Sequence, residues 1–375
     1  MTTLELRDYQ KVAIEKWKQR GQKGIIVLPT GTGKTYIALA VINEEIRQNG
    51  GKVAVIVPTI VLANQWQQKI YEYVGIKPAL YYTHEKGIGK ITVFVVNSAY
   101  LNRHLLQYFS LVIVDEIHHL SAPTWKQIVE AIKDKKVMGL TATPENAILP
   151  IVYYMGIGLA REKKAVVSVE IKPVYAELTP LERYQYEQVD QAIKDIARKL
   201  ESAKAYGDKT SAEILDRKLK IMANKRKQLM SEVKDKAIKV LEIARKHSNE
   251  KILVFTESIK GAEKIAQVLN DNGIKSMTIH SQKGKAIRNT ILQEWGKSFR
   301  VLIAVRSLDE GVDIPDVSIG VIVATGKTIR QLTQRLGRIL RPAPNKEKAI
   351  MYVVLARNTY ETSILWKLNK VAFSR

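Results

Sequence analysis

The sequence predicts an α/β protein with two parallel-sheet domains in tandem, the second carrying a helical insertion. Three observations predict it. Short apolar runs alternate with helical patterns in the first third of the chain and again from Lys251 onward. The first of these runs ends in a glycine-rich loop that opens a helix, and the long stretch 180–246 between the two series has helical periodicity throughout. The expected boundaries are 1–165 for the first domain, 166–375 for the second and 180–246 for the insertion.

Composition narrows the function. At 375 residues the chain can bury two cores. It has no Cys, which excludes a disulfide framework and a thiolate metal site. No apolar run approaches the length of a bilayer, and MTTLELRDYQ lacks the features of a secretion signal, so a soluble protein of the cell interior with no membrane partner is expected. The net charge of +23 is the electrostatic footprint of a protein that follows a phosphate backbone. General solubility and surface ion-pair networks compete with that reading, but the excess is one-sided, which favours nucleic acid.

Taken in order, 4–20 reads as a helix with Tyr9, Val12, Ala13 and Trp17 on one face. Arg7 and Gln10 stand just upstream of the loop, and a planar amide can meet both the donor and the acceptor edge of adenine. Gln10 is therefore a candidate base reader beside Arg7, a plain polar helix start being the alternative. GIIVL is a buried strand. PTGTGKT, Pro29 to Thr35, then joins it to a helix with Ala38, Val41, Ile42 and Ile46 at helical spacing. In such a loop Thr30, Gly31, Thr32 and Gly33 cradle a polyphosphate with backbone N–H groups at a helix N-terminus. Lys34 reaches the outer phosphates and the Thr35 hydroxyl ligates Mg²⁺, so ATP and Mg²⁺ are the expected cofactors.

KVAVIVP is a second strand, ending at Pro58 and Thr59 before a helix that carries Gln65 and Trp66. Pro58, Thr59 and Gln65 are candidate nucleic-acid contacts, while Trp66 reads as core. ITVFVV ends in Asn97-Ser98, a second polar strand end where Ser98 is a further contact candidate. LVIVDEIHHL then delivers Asp115 and Glu116 from a central strand to the edge where open α/β sheets bind ligands. Asp115 can hold hydrated Mg²⁺ and Glu116 can orient and deprotonate a water. His118 completes a DExH pattern; no Cys or second spaced His supports it as a metal ligand. VMGLTATP ends a further strand with Thr141 and Thr143, which with His118 are assigned to coupling hydrolysis to movement.

In 180–246, Val189, Ile193, Ile196, Leu200 and Ala203, and later Leu215, Leu219 and Met222, alternate spacings of four and three around Gly207-Asp208. This is the pattern of an antiparallel helical hairpin, followed by a third helix from Val233 to Ala244. Its basic cluster includes Lys225 and Arg226, read either as a solvated face or as a clamp on duplex. From Lys251, KILVFTES, SMTIHS, FRVLIA, IGVIV and AIMYVVL supply the second sheet, with Thr256, Ser258, Arg306 and Ser307 as polar strand ends and nucleic-acid candidates. SLDEGVDIPDV places Gly311 and Asp313 in a tight loop that can hold a ribose hydroxyl. In QLTQRLGRILRP, Arg335, Arg338 and Arg341 recur every three residues beside Gln334, a stripe suited to a γ-phosphate, with a phosphate-backbone role open for Arg335.

PTGTGKT, VDEIHH, GLTATP, SLDEGVDIPDV and QRLGRILRP, in this order and spacing, resemble the superfamily 2 DExH helicases. LRDYQ, LPTGTGKT, NSAYLN and RLGRILRP followed by a strand are similar to the archaeal XPB-like branch. The resemblance implies two RecA-like domains with a thumb-like insertion, and ATP-driven movement on DNA with 3′ to 5′ polarity. It also implies that Lys34, Thr35, Asp115, Glu116, Arg338 and Arg341 carry hydrolysis and that Gln10 and Gln334 serve the nucleotide. Single-stranded, forked or duplex DNA is then the partner, in repair or recombination, at the nucleoid and beside a nuclease or repair protein. TATPENAILP lacks the Arg-Glu-Asp element of that branch, and no damage-recognition domain is expected before Leu6, which points to a translocase or remodeller. An RNA-stimulated ATPase and an ATP-regulated binding or annealing module are the alternatives.

Overall fold

Two parallel sheets organise the chain, which a computed structural model describes over residues 5–142, 147–305, 317–323, 348–363 and 365–366. The first sheet is built from β1 (Lys23–Val27), β2 (Val53–Val57), β3 (Ala79–Tyr82), β4 (Glu85–Lys86), β5 (Ile91–Val95), β6 (Leu111–Asp115), β7 (Lys136–Thr141) and β8 (Ile151–Tyr154). Its helices are α1 (Asp8–Gln19), α2 (Lys34–Arg47), α3 (Ile60–Val74), α4 (Val96–Leu101), α5 (Lys126–Ala131) and α6 (Ile157–Glu162). The strand order is β4-β3-β5-β2-β6-β7-β1-β8, parallel except for the β3–β4 pair. β2 reads VAVIV and all five residues are buried, as a strand covered by helices on both faces requires.

This order positions the site. β7 lies between β1 and β6, so the loop after β1 and the carboxylates after β6 open at one edge with the end of β7 between them. β8 was not legible as a strand. It pairs with β1 across a register shift at Ile25/Ile26, and Gly24 admits it: a Cβ there would sit 2.3 Å from Val152 Cγ1.

The second sheet contains β9 (Ser168–Ala176), β10 (Ile252–Thr256), β11 (Ser276–Ile279), β12 (Val301–Val305), β13 (Ile319–Val323) and β14 (Lys348–Ala356), in the order β11-β12-β10-β13-β14-β9. Between β9 and β10 run α7 (Pro180–Ala205), α8 (Lys209–Ser231) and α9 (Lys234–Lys246); α10 (Ile259–Asp271) and α11 (Lys285–Glu294) follow. α7 starts on a capping box, Thr179 accepting from Glu182 N and Glu182 returning to the Thr179 amide, with Pro180 at the first helical position. The fold is therefore two RecA-like sheets with a helical insertion in the second.

Three local expectations change. On α1 the buried face is Tyr9, Gln10, Ala13, Ile14 and Trp17, and Val12 is 39% exposed, because the apolar stripe runs at four-residue spacing from Tyr9 and Gln10. The chain turns helical at Val96, which buries Ser98. Finally, α9 shares the core of the second sheet through Ala237, Val240, Leu241 and Ala244, so the free-standing part of the insertion is α7 and α8.

The hairpin is fastened at its base. Lys236 Nζ, 1% exposed, donates to both Glu361 carboxylate oxygens at 2.8 and 2.7 Å and to Met230 O at 2.8 Å; Glu361, fully buried, also accepts from Ala356 N at 2.8 Å. Arg183 donates to Arg357 O and Asn358 O at 3.1 Å each, and Tyr186 OH accepts from Tyr360 N at 2.9 Å. The ends of α7 and α8 are thereby tied to the turn that follows β14.

Candidate active site

The loop after β1 is shaped by two glycines with left-handed backbone, Gly31 at φ 87° and Gly33 at φ 82°. A side chain at Gly33 would be strained by this backbone, and its Cβ would press on Gln10 Nε2 at 2.6 Å and Tyr36 Cδ2 at 3.1 Å. α1 holds the loop from behind. Tyr9 OH donates to Thr32 O at 2.7 Å, and Gln10 Nε2 donates to Thr32 O and Gly33 O at 3.2 Å each. Gln10 Oε1 accepts from Arg7 N at 2.8 Å. The amide that the sequence offers to adenine is thus 3% exposed and occupied by loop backbone. Burial pushes the Tyr9 hydroxyl above its ordinary pKa against the opposing charge of Arg7, so it remains a donor.

Within the loop, Thr32 Oγ1 donates to Pro29 O at 2.7 Å, and Lys34 Nζ donates to Leu28 O at 3.0 Å and Pro29 O at 3.4 Å. Thr30 Oγ1 is buried with no hydrogen-bond partner. An orphaned hydroxyl beside a glycine cradle and a lysine fits a polyphosphate. Thr35 opens the second helical position of α2 and is half-buried.

Across β7, Asp115 is anchored at both oxygens: Oδ1 accepts from Glu116 N at 3.0 Å and Oδ2 from Trp66 Nε1 at 2.9 Å. Trp66 is 2% exposed, which agrees with the core reading, but its indole N–H bond to Asp115 carried no sequence signal. Glu116 sits in left-handed backbone at φ 50° and ψ 50°. Its Oε2 lies 3.3 Å from His118 Nδ1, and that same nitrogen lies 3.1 Å from Thr141 Oγ1. His118, 7% exposed, therefore sets one ring nitrogen between the Glu116 carboxylate and the Thr141 hydroxyl at the end of β7. Leu28 N donates to Thr141 O at 3.0 Å, which closes the circuit back to the loop.

The nucleic-acid candidates separate. Thr59 caps α3, its Oγ1 accepting from Leu62 N at 3.3 Å; Pro58 before it and Gln65 further along the helix are half-buried. Ser98 turns inward on α4, while its neighbour Asn97 is exposed. Ser258 caps α10 by accepting from Gly261 N at 3.0 Å and lies 2.8 Å from Ser231 Oγ, while Thr256 is fully buried with its hydroxyl unpartnered. Lys225 is exposed. Arg226 is an interior tie, pairing with Asp190 and stacking 4.1 Å from the Tyr360 ring centre, so it is not a free grip on nucleic acid. Thr143, Arg306, Ser307, Gly311, Asp313, Gln334, Arg335, Arg338 and Arg341 lie outside the described residues.

Two protein-family descriptions match the chain. The family described as "Type III restriction enzyme, res subunit" matches residues 3–146, and "Helicase conserved C-terminal domain" matches 232–343. The chain is 33% identical to the DNA 3'-5' translocase XPB2 of Sulfurisphaera tokodaii, covering 94% of this chain and 82% of that one. It is 25% identical to the putative DNA 3'-5' helicase Rad25 of Halobacterium salinarum, spanning 96% of this chain and 55% of that protein. With the DNA 3'-5' helicase XPB of Mycobacterium tuberculosis it shares 26% identity over 95% of this chain and 62% of that one. The Hef helicase domain of Pyrococcus furiosus has the same fold, with a TM-score of 0.63 at 21% identity over 96% of this chain and 97% of that one. The chain belongs to the superfamily 2 DExH helicases, in their XPB-like branch.

Proposed function

We infer that this chain is a DNA-stimulated ATPase that turns hydrolysis into 3′ to 5′ movement on DNA, acting in repair or recombination at the nucleoid beside a nuclease or other repair protein. The observation that carries the reading is the His118 ring nitrogen that stands between Glu116 and Thr141, a link from one carboxylate to a strand end on the same edge as the loop. Bound ATP supplies the phosphoanhydride, and Mg²⁺ neutralises its charge. Thr35 and Asp115 would hold the metal, Asp115 being pre-oriented by Trp66. Lys34 exchanges its bonds to Leu28 O and Pro29 O for phosphate oxygens. Glu116 orients and deprotonates the water, and Arg338 and Arg341 complete the charge around the outer phosphate.

His118 reports the state of Glu116 to Thr141, which is how hydrolysis reaches the DNA path at Thr59. The test is ATP turnover by wild type and Lys34→Ala with no polymer, single-stranded, forked and duplex DNA, and RNA. DNA stimulation in wild type and a dead variant are expected. Stimulation by RNA alone moves the substrate class to RNA, and no stimulation by any polymer leaves a regulated binding module.

A further inference from the structure

One edge of the second sheet is marked by cations. The paired strands all run parallel, so the edge at their starts lies opposite the one that carries Thr256 and Ser258. Ser276, Val301 and Ile252 stand in register on β11, β12 and β10, and Lys275, Arg300 and Lys251 immediately precede them. Neighbouring strands lie about 4.8 Å apart, so three like charges enter the sheet side by side. Like charges on neighbouring strands repel.

Two of the three are held by their own side chains. Arg300 Nη1 donates to His247 O and Nη2 to Ala244 O, both at 2.8 Å, which fastens it to the end of α9. Lys251 Nζ lies 5.8 Å from the Trp295 ring centre, and its stem is met by Gly296, at φ 89°, where a Cβ would sit 2.7 Å from Lys251 Cδ. Lys275 is exposed, and so is Lys297 in the loop before β12. Between residues 273–275 and 296–300 lies a cavity of about 290 Å³. Ile274 and Phe299 give it an apolar wall, Lys275, Lys297 and Arg300 give it charge, and none of its lining residues is acidic. The carboxylates next in sequence are engaged: Glu294 accepts from Ser298 Oγ, and Glu250 pairs with His247 Nδ1 at 2.8 Å. Among the described residues, no ion pair includes Lys275 or Lys297.

We propose that this cavity docks an acidic segment of a partner protein, an apolar side chain seated on Ile274 and Phe299 with carboxylates meeting Lys275 on one side and Lys297 and Arg300 on the other. The occupant follows from charge and size. A second copy of this chain is repelled, because each carries a net charge of +23. A duplex is too large to enter a cavity of this volume. A free phosphate ion leaves the apolar wall wet and gains little from two exposed lysines, whereas a segment engages all three cations at once. In an extended chain, Glu-Ser-Leu-Ser-Glu puts the leucine and both acids on one face with the acids about 13 Å apart, enough to straddle the cavity. The site uses neither the loop after β1 nor the Asp115–Glu116 pair, so the proposal does not rest on the reading above.

The experiment measures fluorescence anisotropy with two fluorescein-labelled peptides, one built on Glu-Ser-Leu-Ser-Glu and one of equal charge with serine in place of leucine. The full chain is used as wild type, as Lys275→Ala/Lys297→Ala, and as Lys77→Ala/Lys90→Ala, a control that removes the same charge from exposed positions around the first sheet. Wild type binds the leucine peptide more tightly than the serine peptide. The cavity variant binds it roughly 2- to 30-fold more weakly, the control matches wild type, and ATP turnover is the same in all three. No binding by wild type overturns the proposal, as does equal loss in both variants, which reports net charge alone, or equal affinity for the two peptides, which leaves the apolar wall unused. Displacement of the peptide by inorganic phosphate at constant ionic strength overturns it in favour of a small-anion site. Loss of duplex DNA affinity in the cavity variant but not in the control overturns it in favour of a nucleic-acid edge.

Discussion

Breaking the Lys236–Glu361 pair tests whether the hairpin base is fastened by one buried ion pair. Both side chains are closed to solvent, at 1% and 0% exposure, and the ammonium makes three bonds, two to Glu361 and one to Met230 O. Burial pushes Lys236 below its ordinary value, opposed by the charge and hydrogen bonds of Glu361. Removing one member of such a pair strands the other and costs about 3–5 kcal/mol. At about 2–4 °C per kcal/mol for a domain of this size, Lys236→Met or Glu361→Leu lowers the melting transition of the second sheet by roughly 6–20 °C. The double variant leaves no stranded charge. It leaves the Met230 carbonyl and Ala356 amide short of a partner, at about 1–3 kcal/mol each, so its loss is well below the sum of the two single losses. Differential scanning calorimetry of the four proteins measures the cycle. Additivity within about 0.5 kcal/mol would falsify the argument, because it means that neither charge depends on the other.

Two further outcomes concern the first sheet. Trp66→Phe keeps a ring in the core and removes the N–H that Asp115 Oδ2 accepts at 2.9 Å. A hydrogen bond to a charged group is worth about 1.5–3 kcal/mol, so the Mg²⁺ concentration for half-maximal ATP turnover rises roughly tenfold or more; an unchanged requirement removes Trp66 from the metal's support. Glu45 is the acid-sensitive joint of this domain. Burial alone would raise its pKa, but the Ser110 hydroxyl, Lys136 and Asn49 together hold it below its ordinary value. The unfolded chain therefore binds the proton first as pH falls, and the stability that Glu45 contributes is full above its unfolded value and lost as pH drops through the folded one. The gap in urea midpoint between wild type and Glu45→Gln is full above the ordinary carboxylate range and closes as pH falls below it, and a gap that ignores pH contradicts the assignment.

Strands covered on both faces were legible because their sequences are unbroken apolar runs, as in VAVIV and LVIVD. The hairpin was legible from its four-and-three spacing around Gly207. β8 was not, since IVYY lies half-exposed beside β1 and its place depends on the missing side chain of Gly24. The P-loop and the Asp115–Glu116 pair could be found because local order specifies them. Their supports could not. Trp66 reaches Asp115 across 49 residues of sequence, and Lys236 reaches Glu361 across 125. Lys236 did leave a trace: it falls on the same helical stripe as Val240 and Ile243, where a lysine is buried only with a partner. Gln10 shows the opposite limit. Its residue type marks it as a candidate base reader or a plain polar helix start, and only the fold shows its amide bonded to the loop backbone.

The backbone of Glu116 has a consequence for anyone who engineers this protein. A non-glycine residue in the left-handed region carries about 1–2 kcal/mol of local strain, and Glu116 holds φ 50° and ψ 50° without a Cβ-free backbone to ease it. Gly or Asn at this position would relax that strain while deleting the carboxylate that faces His118. If Glu116 has the role proposed for it, directed evolution for yield or heat tolerance, with no activity gate, would enrich inactive sequences at this codon, and a consensus drawn from such a library would favour the wrong residue.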